Sequence, residues 1–423
     1  MQAEKNDVNY AFKEIMKKAW IVNPYGALPT EGWLEYRSFK LARELISRGF
    51  EVTIWISKFE HRKKQFRENS IFRENSEIHN NLKIIGLDGP GYKKNISFAR
   101  IMHEDQFGKR FYKEAINYDE PDVIIIGDPS LFFSKYVTRY LNNRSSKLIV
   151  DIIDLWPELF KVALPKLISK YHKYIFYFLY QRRKKLIDLS DGVVGCTNDY
   201  LQRANVPKDK PQAVSYFGID ADVFLLPKIG SQSDNVREFT NDADLSVIFA
   251  GTYGSAYDID TIFKAISLSV SQNENIKYVF IGDGIYSNEI NRYQELYPNT
   301  VLKLESAPLD ELVDIYSNFD IGLCTYSKNS TVSMPTKFYD NLGAGLVTIT
   351  SLNGEILSLI NKHQLGLIYE AGNYISLFEA IIKLKNDKKL LIELKSNVRL
   401  AAQDFSAIIQ YKTFANFIEK IIA

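Results

Sequence analysis

The sequence has few of the residues that mark secreted or metal-binding proteins. It contains two cysteines among 423 residues, Cys196 and Cys324, and five histidines. The cysteines lie in separate apolar runs, so we expect two buried thiols, no disulfide and a cytoplasmic location. The histidines show none of the close spacings typical of zinc ligands, and the sequence predicts no metal site.

Long apolar stretches and a strong excess of one charge are also missing. No stretch reaches the roughly 18 uncharged residues that a membrane-spanning helix requires, and residues 1–16 lack the apolar segment of a signal peptide. The formal net charge of +2 argues against a general nucleic-acid-binding protein. With 46% apolar and 25% charged residues the chain is typical of globular proteins, and its length favours two domains.

Short β-branched runs alternate with stretches of helix length in two series, which predicts an α/β fold. The predicted strands are 19–25, 51–57, 82–87, 122–128, 147–154, 192–197 and 213–219 in the first series, and 245–251, 276–282, 301–306, 321–326, 346–352 and 366–372 in the second. Continuous apolar strands that alternate with helices are typical of doubly wound parallel sheets. We therefore predict two such domains, with ligands beyond the carboxyl ends of their strands and in the cleft between them.

The polar, turn-rich stretch 228–244 separates the two series and reads as a linker. We predict an N-terminal domain over 1–224, a linker over 225–244 and a C-terminal domain over 245–400. The amphipathic segment 401–423 is a predicted helix that could pack back on the N-terminal domain.

Two strand-to-helix loops are candidates for ligand contact. The loop 23–33 is longer than such a connection needs and contains Gly26 and Gly32, but no G-x-G-x-x-G pattern of a dinucleotide site. An ordinary surface loop is the alternative. In the loop 250–260, Gly251 and Gly254 permit close backbone approach to a ligand at the start of the next helix.

Several paired carboxylates occur in the chain. Asp258 with Asp260 forms a D-x-D pattern that can hold a divalent metal, but helix capping and turn formation explain it more simply. In "DIIDLWPELF" (151–160), Asp154 follows a predicted buried strand, which places it at the edge of the cleft. It can cap the next helix, accept a substrate hydroxyl, or do both.

The segment "SMPTKFYDNLGAG" (333–345) is the most informative. Ser333 is a candidate cap for a helix whose first turn contains Lys337, although the helix dipole disfavours a cation there. That position is explained if the ammonium and the first N–H groups bind the same anion, such as a diphosphate. Asp340, three residues on, shares a helical face with Lys337 and can accept hydrogen bonds from ribose hydroxyls. The alternative is an ordinary amphipathic helix with a Lys–Asp pair.

Two glycines of this segment have predicted structural roles. Gly343 permits close packing within the helix, and Gly345 can end the helix in the left-handed conformation.

Five segments resemble the GT-B glycosyltransferases, in particular retaining family-4 enzymes of bacterial O-antigen and capsule synthesis. In order they are "NPYGALPTEGW…YRSFKLARELISRGFEVTIW", "IIDLWPE", "SYFGIDADVF", "VFIGDGI" and "MPTKFYDNLGAG…TSLNGE". The last is similar to the family's P-[ST]-K-x-x-E-Y-L-A-A-G box. The resemblance covers roughly residues 18 to 400 and implies a GT-B fold of two Rossmann-like domains facing across a cleft.

The resemblance also implies roles for particular residues. Lys337 would contact the diphosphate as a catalytic group, Asp340 would hold the ribose, and Asp154 would contact the transferred sugar. The remaining residues implied on the donor side are Gly251, Thr252, Gly254, Thr336 and Glu355. Those implied in the cleft loop of the first domain are Gly26, Glu31 and Gly32.

The chain departs from the family pattern in two places. Thr252 follows "FAG" where the family has an arginine, and Tyr257 or Asp258 stands where it has a lysine. The family's E-x7-E pair is replaced by Val332 and Asp340. Lys337 would then supply much of the charge opposite the diphosphate. The implied reaction retains configuration and needs no metal or other cofactor, because cations and helix N–H groups stabilise the leaving diphosphate.

The segment 164–186 combines six aromatic residues between 171 and 180 with seven lysines and arginines. Such a composition suits an anionic membrane surface, and a core helix with a solvated basic end is the alternative. We predict peripheral attachment to the inner face of the cell membrane. The expected partners are a nucleotide sugar, UDP-linked rather than GDP-linked, and a saccharide or lipid-diphosphate-linked acceptor, with no nucleic acid.

Two other functions are compatible with the same fold. A GT-B-fold epimerase of UDP-N-acetylglucosamine would need acidic and histidine groups in the cleft, which the scattered histidines do not suggest. An inactive scaffold subunit is favoured by the missing Arg/Lys pair and opposed by Lys337, Asp340 and the glycine loops.

Overall fold

Two parallel sheets form the framework of the chain in a computed structural model, which describes residues 16–31, 37–128, 131–220, 224, 231–307, 309–330 and 332–423. The chain divides into two compact units. The first comprises residues 1–193, 208–211 and 415–423, and the second comprises residues 194–207 and 212–414.

The first sheet has the strand order β5-β2-β1-β6-β7-β8-β9, and a small hairpin pairs β3 with β4. Its strands and those of the hairpin are β1 (Lys18–Val22), β2 (Glu51–Ser57), β3 (Phe59–Glu60), β4 (Gln65–Phe66), β5 (Leu82–Leu87), β6 (Val123–Asp128), β7 (Lys147–Ile152), β8 (Gly192–Gly195) and β9 (Gln212–Val214). The helices of this half are α1 (Arg37–Ser47), α2 (Ser70–Ser76), α3 (Phe98–Ala115), α4 (Ser134–Leu141), α5 (Lys166–Ser169), α6 (His172–Ile175), α7 (Tyr177–Leu189) and α8 (Asn198–Arg203), with 3-10 turns at Pro29–Glu31 and Glu158–Ala163. The apolar runs become strands because helices cover both faces of a parallel sheet; six of the seven residues of β2 are buried.

The second sheet has the order β12-β11-β10-β13-β14-β15. Its strands are β10 (Leu245–Ala250), β11 (Ile276–Ile281), β12 (Val301–Leu304), β13 (Ile321–Cys324), β14 (Val347–Thr350) and β15 (Gly366–Ile368). The helices of this half are α9 (Ser231–Thr240), α10 (Ile259–Ser271), α11 (Ser287–Leu296), α12 (Leu309–Tyr316), α13 (Thr336–Gly343), α14 (Glu355–His363), α15 (Tyr374–Asn386), α16 (Lys388–Asp404) and α17 (Ala407–Ile422).

The strand orders explain where ligands can bind. In the first sheet the order reverses between β1 and β6, and in the second between β10 and β13. At such a switch point the loops after the two strands diverge and leave a crevice at the carboxyl ends. The loops after β1 and β10 are two of the loops that the sequence singled out.

The predicted fold class is confirmed, and each of the thirteen predicted strands overlaps an observed one. The prediction of an irregular linker is wrong for residues 231–240, which form α9. Val236 is fully buried and packs in a core cluster with Ile248 and Val279. Arg237 donates to Asp314 of α12 at 2.6 Å. The helix was missed because only a narrow stripe of it is apolar.

The end of α17 belongs to the first unit. A Cβ atom built on Gly192 would lie 2.7 Å from Cζ of Phe417, so the last helix packs directly on the start of β8. Arg48 of α1 donates to the Glu419 carboxylate at 2.7 Å.

Candidate functional site

The ammonium group of Lys337 is a buried cation at the carboxyl ends of the central strands of the second unit. Its side chain is 6% exposed, and its Nζ donates to the carbonyl oxygen of Ala250, the last residue of β10. The same Nζ lies 4.5 Å from the ring centre of Phe249 and 4.9 Å from that of Tyr257. Tyr257, one of the residues in place of the family's lysine, thus lines the pocket of the remaining cation.

Burial shifts the titration of both charged groups on α13. It lowers the pKa of Lys337 to about 8, against the opposing effects of Cys324 and Asp340. It raises the pKa of Asp340 to about 6, while Lys337 lowers that pKa and Asp220 raises it further. Both groups are therefore mainly ionised between these two values. The Lys337 ammonium bonds Ala250 rather than the Asp340 carboxylate, which leaves the carboxylate for another donor.

Three buried hydroxyls near the ends of the same elements have no hydrogen-bond partner within the described part of the chain. They are Thr325 Oγ1, Ser333 Oγ and the hydroxyl of Tyr253. A buried hydroxyl without a partner costs about 1–3 kcal/mol, and a polar ligand that reached these groups would remove that cost.

The prediction that Ser333 caps the helix is wrong. The helix begins at Thr336, Pro335 occupies the capping position, and no side chain accepts from the first turn. Thr336 is exposed at that start. The uncapped N–H groups and the Lys337 ammonium therefore lie at the same helix end, an arrangement that suits an anion.

Gly343 and Gly345 adopt the structural roles predicted for them, while the predicted approach of Gly251 to a ligand stays a prediction. Gly345 has φ of 71°, and a Cβ on Gly343 would lie 2.5 Å from the Phe224 ring. Gly251 has φ of 121°, and a side chain there would collide with Lys337 Nζ. Gly282 is required as well, because its Cβ would strike the carbonyl oxygen of Gly251. Only glycine keeps this loop and its cation in place.

Other predicted donor-side residues differ in how accessible they are. Thr252 is exposed and Gly254 is partly exposed in the loop after β10. Glu355 is already engaged, since its carboxylate accepts from the Asp199 N–H at 2.8 Å and from the Tyr216 hydroxyl at 2.5 Å. Its predicted contact with the donor stays a prediction.

Asp258 stabilises the fold of the second unit, but not as a helix cap: it occupies the capping position of α10, and its side chain accepts no N–H of the first turn. Its carboxylate accepts from the Thr261 hydroxyl at 2.6 Å, the Gly372 N–H at 2.8 Å and the Tyr369 hydroxyl at 3.0 Å. Across the residues that the structure describes, no group of three or more histidine, cysteine or acidic side chains could hold a metal ion.

In the first unit, the loop after β1 is braced from within. Gly26 is buried against Ile56. The Glu31 carboxylate pairs with Arg67 at 2.7 Å and accepts from the Leu28 N–H at 2.7 Å, and both charged side chains are buried. Glu31 therefore stabilises this loop, while Gly32 lies outside the described residues. The predicted role of both in lining a cleft stays a prediction.

Asp154 follows β7 and is exposed. Surrounding protein atoms raise the pKa of its carboxyl group through desolvation, and the charge of Arg100 lowers it. The Arg100 guanidinium is stacked between the rings of Tyr25, at 4.5 Å, and Trp156, at 4.6 Å, and is 8% exposed. The Tyr25 hydroxyl donates to Glu104, which is 3.7 Å from Arg100.

This Arg100 network was missed by the sequence analysis. Its members come from loops and a helix far apart in sequence, and none belongs to a recognisable motif. Lys337 and Asp340 were found because a cation in a first helical turn is a local anomaly.

Comparisons with known proteins agree with this geometry. Residues 232–401 match the family described as Glycosyl transferases group 1. No curated protein matches the chain. Among solved structures, the chain is similar to sucrose-phosphate synthase from Thermosynechococcus elongatus (TM-score 0.69, 14% identity, 96% of this chain and 99% of that one). It is also similar to HepE from Anabaena in complex with UDP (TM-score 0.65, 11% identity, 96% of this chain and 100% of that one). A third similar structure is WaaG, a glycosyltransferase involved in lipopolysaccharide biosynthesis (TM-score 0.61, 12% identity, 95% of this chain and 99% of that one).

The likeness to solved structures extends over nearly the whole of this chain and of each neighbour, and at these identities it concerns the fold. The family match covers α9 to α16, the part of the chain that contains Lys337 and the glycine loops. The chain thus has the GT-B fold, and its residues 232–401 match the Glycosyl transferases group 1 family.

Proposed function

We propose that this protein is a retaining glycosyltransferase that takes a sugar from a nucleoside-diphosphate donor, with UDP as the favoured nucleotide. The observation that carries the proposal is the buried Lys337 ammonium at an uncapped helix start. A diphosphate supplies the negative charge and the acceptors that the ammonium and the first N–H groups of the helix lack. The complex of HepE with UDP supports the choice of nucleotide.

The residues of the second unit act on the leaving group. As the bond to the sugar breaks, negative charge builds on the diphosphate. The Lys337 ammonium exchanges its bond to Ala250 for the phosphate oxygens, and the first N–H groups of α13 donate to the same anion. The rings of Phe249 and Tyr257 keep water away and strengthen the attraction. Asp340 accepts from the ribose hydroxyls, and no metal is required.

The first unit provides the acceptor side in this proposal. Asp154, exposed at the carboxyl end of β7, contacts the transferred sugar. We place the reaction in the assembly of a surface polysaccharide, as the likeness to WaaG supports.

Residues 167–178 of α5 to α7 support attachment to a membrane; we call them the helical flank. Seven apolar side chains are exposed there, among them Leu167 at 87% and Tyr174 at 82%. The core-helix alternative applies to the following turns of α7, where Leu179, Leu186 and Ile187 are buried. Because Lys170 and Lys173 lie among these side chains, we propose that the flank rests on an anionic bilayer. No helix in the described ranges is long and apolar enough to cross a membrane.

Nucleotide screening tests the donor site. We expect UDP to raise the melting temperature without metal, and GDP, ADP, CMP and NAD to raise it less. At a hundred times Kd a ligand adds about 2.7 kcal/mol to stability. Lys337→Ala and Asp340→Ala should each abolish this shift, whereas Lys389→Ala on the exposed start of α16 should retain it. A wild-type protein that responds to none of these nucleotides would favour the inactive scaffold.

The affinity for UDP-glucose is expected to peak between about pH 6 and pH 8, a window set by the pKa values of Asp340 and Lys337. Below this window the Asp340 carboxylate becomes protonated and accepts hydrogen bonds from the ribose less well. Above it Lys337 loses its charge. UDP-glucose is the better probe because both of its phosphates are esterified. Titration calorimetry across pH 5 to 9.5 measures the profile. Asp340→Asn should flatten the acidic limb and Lys337→Arg the alkaline limb; unchanged limbs would contradict the assignment.

A further inference from the structure

A second exposed apolar surface lies at the carboxyl edge of the first sheet. It comprises the β3–β4 hairpin, the loop 88–97 and the first turn of α3, and we call it the hairpin flank. Its exposed side chains are Phe66 at 60%, Ile96 at 39%, Phe98 at 74% and Met102 at 43%. Phe98 and Met102 are four residues apart on α3 and so share one face of the helix.

The hairpin flank is held together by defined contacts. Phe59 and Phe66 pack with ring centres 5.3 Å apart, and a Cβ on Gly91 would lie 3.0 Å from Phe59. Lys64 has φ of 57° at the hairpin turn and donates to the Asn95 side chain at 2.5 Å. The hairpin and the loop are thus joined as one surface.

The start of α3 determines which side chains face outward. Ser97 caps the helix by accepting from the Arg100 N–H at 3.2 Å. With the helix anchored there, Arg100 and Glu104 point inward and are 8% and 5% exposed, while Phe98 and Met102 point to solvent.

The hairpin flank also has a cluster of positive charge. Arg62 and Lys63 form its turn, and Lys93 and Lys94 lie in the loop, all exposed. Two acids belong to the flank: Glu60 is 3% exposed and accepts from the backbone N–H groups of Arg62 and Lys63, and the exposed Asp88 pairs with Lys58 at 3.1 Å. Lys93 and Lys94 form no ion pair with any residue that the structure describes. Exposed aromatic groups beside clustered cations are complementary to an anionic lipid surface.

The two flanks border one recess of the first unit. Ser97, Arg100 and Ile101 of the hairpin flank's helix line it, together with Trp156 and Phe160. On the other side Phe160 packs on Phe176 of the helical flank, with ring centres 5.0 Å apart. The two flanks are therefore joined through the packed side chains of Arg100, Trp156 and Phe160.

We propose that the hairpin flank is a second bilayer-docking surface: Phe98 and Ile96 insert into an anionic phospholipid layer while Lys93, Lys94 and the hairpin turn bind lipid phosphates. This docking does not depend on the proposed glycosyl transfer.

Flotation with vesicles of phosphatidylcholine and phosphatidylglycerol tests the proposal. Wild-type protein should float at low salt, and Phe98→Ser with Ile96→Ser should lower the bound fraction at least fivefold, as should Lys93→Glu with Lys94→Glu. Ile392→Ser and Lys389→Glu, on exposed positions of α16, are matched controls that should float as wild type does. Pure phosphatidylcholine should bind poorly.

The outcomes separate the two surfaces. If the hairpin-flank variants float as wild type does and only Leu167→Ser with Tyr174→Ser fails, the hairpin flank is no lipid surface and a protein partner becomes its better explanation. If wild-type protein does not float at all, both docking surfaces are overturned. Urea unfolding followed by tryptophan fluorescence, unchanged from wild type, shows that the first unit of a variant is folded. A wild type that floats through this flank but does not respond to any nucleotide would overturn the donor site alone.

A fluorescent probe gives a direct readout of insertion. Both native cysteines are buried, so an environment-sensitive dye can be attached selectively at Phe98→Cys. Its emission should shift to the blue on adding anionic vesicles, while the same dye at Ile392→Cys should not respond. Equal responses at both positions, or none at Phe98→Cys, would contradict insertion.

Discussion

Replacing Lys337 by methionine should make the unliganded protein more stable while it abolishes the response to UDP. Burial holds the pKa of this lysine at about 8 instead of 10.5, a difference that corresponds to about 3 kcal/mol. Methionine fills a similar volume without the charge, and it loses the bond to Ala250 and the contacts of the cation with the Phe249 and Tyr257 rings. We expect a gain of roughly 1–3 kcal/mol at pH 7, seen as a higher melting temperature in scanning fluorimetry.

The pH dependence of that gain identifies its cause. Below about pH 8 the lysine is charged in the folded and unfolded protein, and the full burial cost is present. Between about pH 8 and 10.5 the folded protein binds fewer protons than the unfolded chain, so the wild type gains stability. The difference between wild type and Lys337→Met should close over this range. Lys389→Met is the control and should show no gain, and a Lys337→Met protein less stable than wild type at pH 7 would contradict the account.

Removal of Asp151 should destabilise the first unit severely. Arg37 of α1 donates twice to the carboxylate of Asp151 in β7, at 2.8 and 2.9 Å, and the two side chains are 0% and 6% exposed. Asp151→Ala would leave the guanidinium buried without its partner, at a cost of about 3–5 kcal/mol. Urea unfolding followed by tryptophan fluorescence measures the loss, because the first unit contains Trp20, Trp55 and Trp156.

A double variant distinguishes pairing from packing. Arg37→Leu with Asp151→Leu removes both charges and should recover most of the stability lost in Asp151→Ala. The rise in melting temperature caused by UDP should persist in wild type, in Asp151→Ala and in the double variant, because the donor residues lie in the second unit. If the double variant is as unstable as Asp151→Ala, the pair stabilises the first unit through the packing of its side chains rather than through its charges.

Local patterns in the sequence were sufficient for the sheets and for part of the candidate site. Strand runs, the glycine loop at Gly251 and the misplaced cation Lys337 are each visible within a few residues. The environment of that cation is not, because Ala250 lies 87 residues away and Phe249 and Tyr257 belong to another strand and loop.

The partners of the buried acidic residues could not be predicted from the sequence either. Glu31 pairs with Arg67, 36 residues on, and Asp151 with Arg37, 114 residues back. A carboxylate at a strand end looks the same in sequence whether it binds a substrate or neutralises a buried arginine. The choice depends on which distant side chain the fold brings to it.

The return of α17 to the first unit has a consequence for how the chain is made. Gly192 lies against Phe417 and Ile421, and Arg48 donates to Glu419. The ribosome adds these three residues of α17 only after the whole second unit has been synthesised. Until then the start of β8 lacks its cover, however early the rest of the first sheet assembles. Expression of residues 1–224 alone would leave the start of β8 uncovered, whereas residues 407–423 added as a separate peptide would cover it.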